Sequence, residues 1–116
     1  MVFIGAGTGN VCHAPKGEWH LAPNVAKISP RKINDIFLLF FLQSIMGQKS
    51  TSFFSTSTAK ESISMGEIRK IKIVFPPLPE QQKIASILSN IDDKITSQEQ
   101  YKENLEKLKK SLMQKL

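Results

Sequence analysis

The run Ile71-Lys72-Ile73-Val74-Phe75-Pro76-Pro77-Leu78-Pro79-Glu80-Gln81-Gln82-Lys83-Ile84-Ala85-Ser86-Ile87-Leu88 divides the chain in two. Ile71, Ile73 and Phe75 alternate with Lys72 and Val74, a period-2 pattern that predicts an edge-like strand. Pro76 and Pro77 end it, because proline cannot donate to a ladder. Pro79 suits the first turn of a helix, where its missing N–H costs nothing. All six glycines and most of the aromatic residues precede this point, and after Pro79 there is neither Gly nor Pro. Such a shift across a proline cluster predicts a globular part over residues 1–78 and a long helix over 79–116.

The helix is the clearest periodic object in the chain. With Ile84 at heptad position a, the a residues are Ile84, Ile91, Gln98, Leu105 and Leu112. The d residues are then Ile87, Lys94, Tyr101, Leu108 and Lys115. Seven of these ten are apolar or aromatic, and Leu88, Ile95 and Leu116 widen the stripe at e. At ~1.5 Å per residue such a helix is ~55 Å long. A small domain cannot cover that length, so the stripe predicts pairing with a second helix, from another copy or another protein. Gln98 in the seam is a candidate for fixing register. The alternative is an amphipathic helix folded back on its own domain.

Working upstream, residues 2–4 read as a short strand that ends in a turn at Gly5-Ala6-Gly7-Thr8-Gly9-Asn10, with residues 11–13 resuming a strand. Residues 15–18 read as another turn. Residues 19–28 read as a strand interrupted near Pro23-Asn24, with Leu21, Val25 and Ile28 facing inward. Asn34 or Asp35 caps a predicted helix over 36–46 that Gly47 ends. That helix is apolar almost all round and is expected to be buried against a small sheet. Ser64-Met65-Gly66-Glu67 resembles a capping box for one helical turn. The fold class is therefore mixed α/β followed by a long C-terminal coiled-coil helix.

Composition narrows the chemistry. Apolar residues make up 41% and charged residues 22%, which excludes a disordered chain. The single cysteine, Cys12, excludes a disulfide framework and a thiolate-cornered zinc site. The longest apolar run, 36–42, is far short of a membrane span. No basic segment precedes a long apolar one at the N-terminus, so a cytoplasmic, reducing compartment is expected. The formal net charge is +6, of which residues 1–60 hold +4 with six Lys/Arg against two acids. An anionic partner such as nucleic acid suits that balance, and the first part suits it better than the nearly balanced tail.

No catalytic constellation emerges. Gly5-Ala6-Gly7-Thr8-Gly9-Asn10 lacks the last glycine of a dinucleotide fingerprint, and Pro15 spoils the helix that should follow. Cys12 and His13 sit on opposite faces of a strand, and with His20 they make a weak metal set. Carboxylates in residues 1–60 are only Glu18 and Asp35, too few for paired acid–base work. No enzyme activity, cofactor or metal is expected. What remains is a hydroxyl- and amide-rich basic stretch: Gln48, Lys49, Ser50, Thr51, Ser52, Ser55, Thr56, Ser57, Thr58 and Lys60. Lys49 and Lys60 suit phosphates, while Gln48, Thr51 and Ser52 suit base edges. The bland alternative is an ordinary surface loop.

The junction 71–88 resembles that of specificity subunits of type I restriction–modification systems. There a strand leads through a double proline and a Glu-Gln pair into a long helix. Asp92, Ile95, Leu105, Leu112 and Lys109-Lys110 resemble the rest of that helix. Upstream, Gly7-Thr8-Gly9-Asn10-Val11, Asn24-Val25-Ala26, Ser29-Pro30 and Ile63-Ser64 resemble the later part of a target recognition domain, in the same order. The resemblance implies a non-catalytic reader of one half of a bipartite double-stranded DNA site. It also implies docking of methyltransferase subunits and, through the complex, of motor-nuclease subunits. A usual subunit has two recognition domains and two long helices. This chain is expected to hold the later part of one domain and one helix, to pair with a second copy or another specificity-subunit fragment, and to span no membrane. An assembly module that reads no DNA is the alternative.

Overall fold

The computed structural model describes residues 1–5, 10–55 and 65–116. Two compact units divide it, Met1–Ala85 and Ser86–Leu116.

The first unit is built on three antiparallel strands, β1 (Val2–Gly5), β2 (Val11–His13) and β3 (Val25–Ile28), in the order β2-β1-β3. Phe3 pairs with Cys12 on one side and Lys27 on the other, and Val2 pairs with His13 and Ile28. Residues directly opposite share a face, so the sheet's two sides can be read off this register. On one side Val2 and Ile4 are fully buried. On the other, Phe3 is covered edge-on by Trp19, with ring centroids 6.4 Å apart. The Trp19 Nε1–H donates to the Pro15 carbonyl at 3.2 Å, which holds the indole there. The turn between β1 and β2 closes with Gly5 N–H donating to the Asn10 carbonyl at 3.0 Å, and its residues 6–9 lie outside the described residues.

Helix α1 (Asp35–Gln43) packs on β1 and β2. Its N-cap is Asn34, whose side-chain oxygen accepts from Ile36 N and Phe37 N at 3.0 Å each. Phe37, Leu38 and Leu42 are buried, and Val2, Leu38 and Leu42 form the core, with Val11, Ile28, Ile33, Leu39, Phe41, Ile71 and Ile73 packed around it. The sequence predicts one helix over 36–46, but α1 stops at Gln43. Ser44 is extended at ψ 163° and its hydroxyl donates to the Phe41 carbonyl at 2.6 Å. The same oxygen accepts from Gly47 N at 3.2 Å, which caps a new helix, α2 (Ile45–Ser55). Ile45 and Met46, apolar residues just after Gln43-Ser44, hide this break, and those two side chains are exposed. Gly47 is not a stop signal. It is buried inside α2, where an added Cβ would lie 2.6 Å from Leu42 Cα.

Two strands expected from the sequence are corrected. Of residues 19–28 only β3 enters the sheet, and Leu21 is exposed. Residues 71–77 form no ladder, and the alternation holds only in part. Ile71 and Ile73 turn to the core and Lys72 and Val74 face solvent, but Phe75, expected on the core side, is exposed too. The alternation reports burial against α1's core without a neighbouring strand to pair with. The short helical turn is present as α3 (Met65–Ile68).

The long helix is α4 (Leu78–Gln114), with Pro79 in its first turn. Its first two turns belong to the first unit, and Gln81 is the reason. That side chain is 1% exposed. Its Oε1 accepts from Asn34 N at 2.8 Å and its Nε2 donates to the Pro76 carbonyl at 2.8 Å. In a capping box the N3 residue of the same helix bonds the N-cap N–H. At α1 that position is Phe37, which cannot, and Gln81 supplies the acceptor from 47 residues away. In the second unit, residues 90–116 are exposed, the stripe Ile91, Ile95, Tyr101, Leu105, Leu108 and Leu112 included. Glu103 and Lys107 pair at 2.7 Å in the favourable i,i+4 order.

Gln81→Ala should leave a half-buried N–H and a half-buried carbonyl without their partner, a loss of about 1–3 kcal/mol. Gln82→Ala, at an exposed position, should cost under about 0.5 kcal/mol. Gly47→Ala should also destabilise, although alanine is the better helix former by ~1 kcal/mol. Urea titration followed by circular dichroism measures all three.

Candidate nucleic-acid interface

The described part of the polar stretch, residues 48–55, is helix. Within α2 the side chains make specific commitments. Gln48 Nε2 donates to the Leu42 carbonyl at 2.7 Å, satisfying the C-terminal end of α1. Thr51 is 1% exposed and its hydroxyl donates to the Gly47 carbonyl at 3.1 Å. Ser50 donates to the Met46 carbonyl at 3.1 Å. Such back-bonding to the preceding turn is how a hydroxyl-rich helix satisfies itself. Of the two residues expected at base edges, Gln48 is exposed with its Nε2 engaged in closing α1, and Thr51 is buried. Ser52 lies on α2. Ser57, Thr58 and Lys60 lie outside the described residues.

Lys49 keeps its expected place on the surface. With Met46 and Ser50 it forms one wall of an open groove of about 410 Å³, and Lys70 and Lys72 form the other. Among the described residues, the charged groups of the lining are thus three ammonium groups. Sequence reading missed Lys70 and Lys72, which come after α3 on either side of the core-facing Ile71. The Lys-Ile-Lys-Ile pattern at 70–73 was their available signal. It places both lysines on the side of the segment opposite the core.

A second cluster joins β2 to α1. Asp35 Oδ2 meets His13 Nε2 at 2.9 Å and the α-amino group of Met1 at 3.3 Å. The hydrogen bond from His13 holds the Asp35 carboxyl below its ordinary value, against a smaller opposing effect of burial and with help from the Met1 ammonium. Cys12 cannot join this cluster, because its register partner is Phe3 on the other side of the sheet. Among the described residues no group of three His, Cys, Asp or Glu is placed to hold a metal ion, and no helix is long and apolar enough to cross a membrane.

Comparison with known proteins places this architecture. Residues 1–107 match the model of the type I restriction modification DNA specificity domain, and the chain belongs to that family. It is 31% identical over 109 residues to the putative MjaX type I restriction enzyme specificity subunit of Methanocaldococcus jannaschii, an alignment covering 86% of this chain and 25% of that one. It is 32% identical over 120 residues to the MjaVIII specificity subunit of the same organism, covering 100% of this chain and 27% of that one. The chain therefore spans about a quarter of the length of these curated relatives. No solved structure matches it.

The Asp35 arrangement carries a pH signature. A folded-state pKa below the ordinary carboxylate value means that the stabilisation is complete above that value and is lost as pH falls through the lower one. Wild type should therefore lose stability relative to Asp35→Asn below about pH 4. The carboxylate is 42% exposed, so the difference should stay under about 1 kcal/mol. Urea midpoints of the two proteins between pH 6 and 2 test it.

Proposed function

We propose that this chain is a DNA-reading part of a type I restriction–modification specificity subunit, non-catalytic by itself, recognising one half of a bipartite duplex site. The family match carries the reading, because it runs through both the α/β unit and most of the long helix. Residues 1–78 are the later part of a target recognition domain, and 79–116 are the pairing and spacing helix. The net charge of +4 on residues 1–60 supports a polyanionic partner.

The helix supports assembly. Ile84, Ile87, Ile91, Tyr101, Leu105, Leu108 and Leu112 are all exposed, with Gln98 among them. Apolar residues repeated at a and d are a seam for a second helix. The partner is a second copy of this chain or another specificity-subunit fragment. Methyltransferase subunits dock on the assembled pair, and motor-nuclease subunits join through the complex. The site of action is cytoplasmic, where the DNA is.

Two measurements on the full chain test this. It should bind duplex DNA with an affinity that falls steeply between 50 and 200 mM salt (on the order of 10-fold or more for even a few phosphate contacts). Sedimentation should show a dimer, and Leu105→Lys with Leu108→Lys should weaken association at least ~10-fold, or ~1.4 kcal/mol. A monomeric wild-type chain with no affinity for DNA would sink the reading.

A further inference from the structure

We propose that the groove between α2 and the segment after α3 seats the sugar–phosphate backbone of one DNA strand, with Lys70, Lys72 and Lys49 as its phosphate contacts. This rests on the DNA-reading function proposed above and assigns to it residues outside the polar stretch that the sequence singles out.

Three observations carry it. The first is charge. Among the described residues that line the groove, the charged ones are Lys49, Lys70 and Lys72, a balance that favours an anion or a row of anions. The second is shape. The groove is open to solvent rather than enclosed, which suits an extended polyanion better than a small anion held on all sides. The third is support. Ile71 and Ile73 pack against the core of Val2, Leu38 and Leu42, so the segment bearing Lys70 and Lys72 is anchored beside each lysine. A further tie holds its start, where Ile71 N donates to the Ile68 carbonyl at 3.2 Å. The opposite wall is held by the cap at Ser44 and by Gln48 bonded to Leu42. Lysines on long stems contact phosphate as point charges, which positions a duplex without reading its sequence.

Ser50 makes no phosphate donor here, since its proton is given to Met46. The seat is therefore electrostatic, and its contribution should be sequence-independent.

The test compares wild type with Lys70→Gln/Lys72→Gln in the full chain, using duplexes with and without a selected target sequence. Matching far-ultraviolet dichroism and thermal melts confirm that both proteins fold. The slope of log K against log salt should become shallower by about 2, because each phosphate contact contributes about 0.9. Affinity for every duplex should fall together, with the ratio between sequences unchanged. A matched pair on the second unit, Lys109→Gln/Lys110→Gln, should leave the slope within about 0.5 of wild type. If wild type binds DNA and the Lys70/Lys72 variant keeps its slope, the groove is not the seat and the DNA-reading function stands. A changed sequence ratio with the slope kept would make the groove a reader of bases and would overturn the proposal too. A slope kept alongside lost binding to a methyltransferase subunit would make it a protein-docking surface. Absence of any salt-dependent binding by wild type would overturn both proposals.

Discussion

The buried amide of Gln81 ties the start of α1, 47 residues away, to the proline junction and to the first turn of α4. Its oxygen serves the N-cap of α1, its nitrogen serves the carbonyl of Pro76, and its backbone is the first turn of α4. Only one orientation of the amide satisfies both partners, oxygen toward the N–H and nitrogen toward the C=O. Neither glutamate nor leucine can do both. The double proline contributes by what it lacks. Pro77 has no N–H to compete within the turn, and its own carbonyl accepts from Glu80 N and Gln81 N at 3.0 and 3.1 Å, starting the helix. The Pro-Pro-Leu-Pro-Glu-Gln run is thus a joint in which the end of one segment, the cap of a buried helix and the beginning of a long one are bonded together.

The consequences reach the proposed interface. Asn34 held by Gln81 begins α1, and α1 ends at Ser44, where one hydroxyl bonds both the last turn of α1 and the first turn of α2. That break turns the chain into α2, and Gly47 lets α2 lie against the end of α1 where any side chain would collide with backbone. Lys49 is two residues further on. On the other wall, Ile71 and Ile73 are drawn to the same core that α1 supplies. The lysines owe their common groove to apolar neighbours, and none of them has to be buried.

Much of the architecture was legible in the sequence, and the exceptions have physical causes. The β1–β2 hairpin, the cap at Asn34, the turn at α3 and the long helix each announce themselves by local pattern. The break at Ser44 does not, because Ile45 and Met46 return to apolar character after only two polar residues, a spacing that a single helix also accommodates. Residues 48–55 look like a loop because Ser and Thr disfavour helices in general. Here the Ser50 and Thr51 hydroxyls are bonded to the preceding turn, and the helix keeps them. The strand expected at 71–75 fails for the opposite reason, since alternation records which side is buried and says nothing about a ladder partner. At the site, Lys49 was legible as a basic residue in a polar stretch. Lys70 and Lys72 stood in a readable Lys-Ile-Lys-Ile alternation, but only the fold brings them opposite α2. Gln81 stood in the most informative motif of the chain, yet its partner Asn34 lies 47 residues away, and no local rule connects them.

The central claim is that the chain reads one half of a split DNA site and that paired helices hold two such readers apart. Selection of bound duplexes from a randomised library by the full chain tests it most directly. The predicted result is enrichment of one short sequence, present twice in opposed orientation and separated by a fixed unspecified gap. Enrichment of no sequence, with bound DNA as random as the starting pool, would contradict the claim.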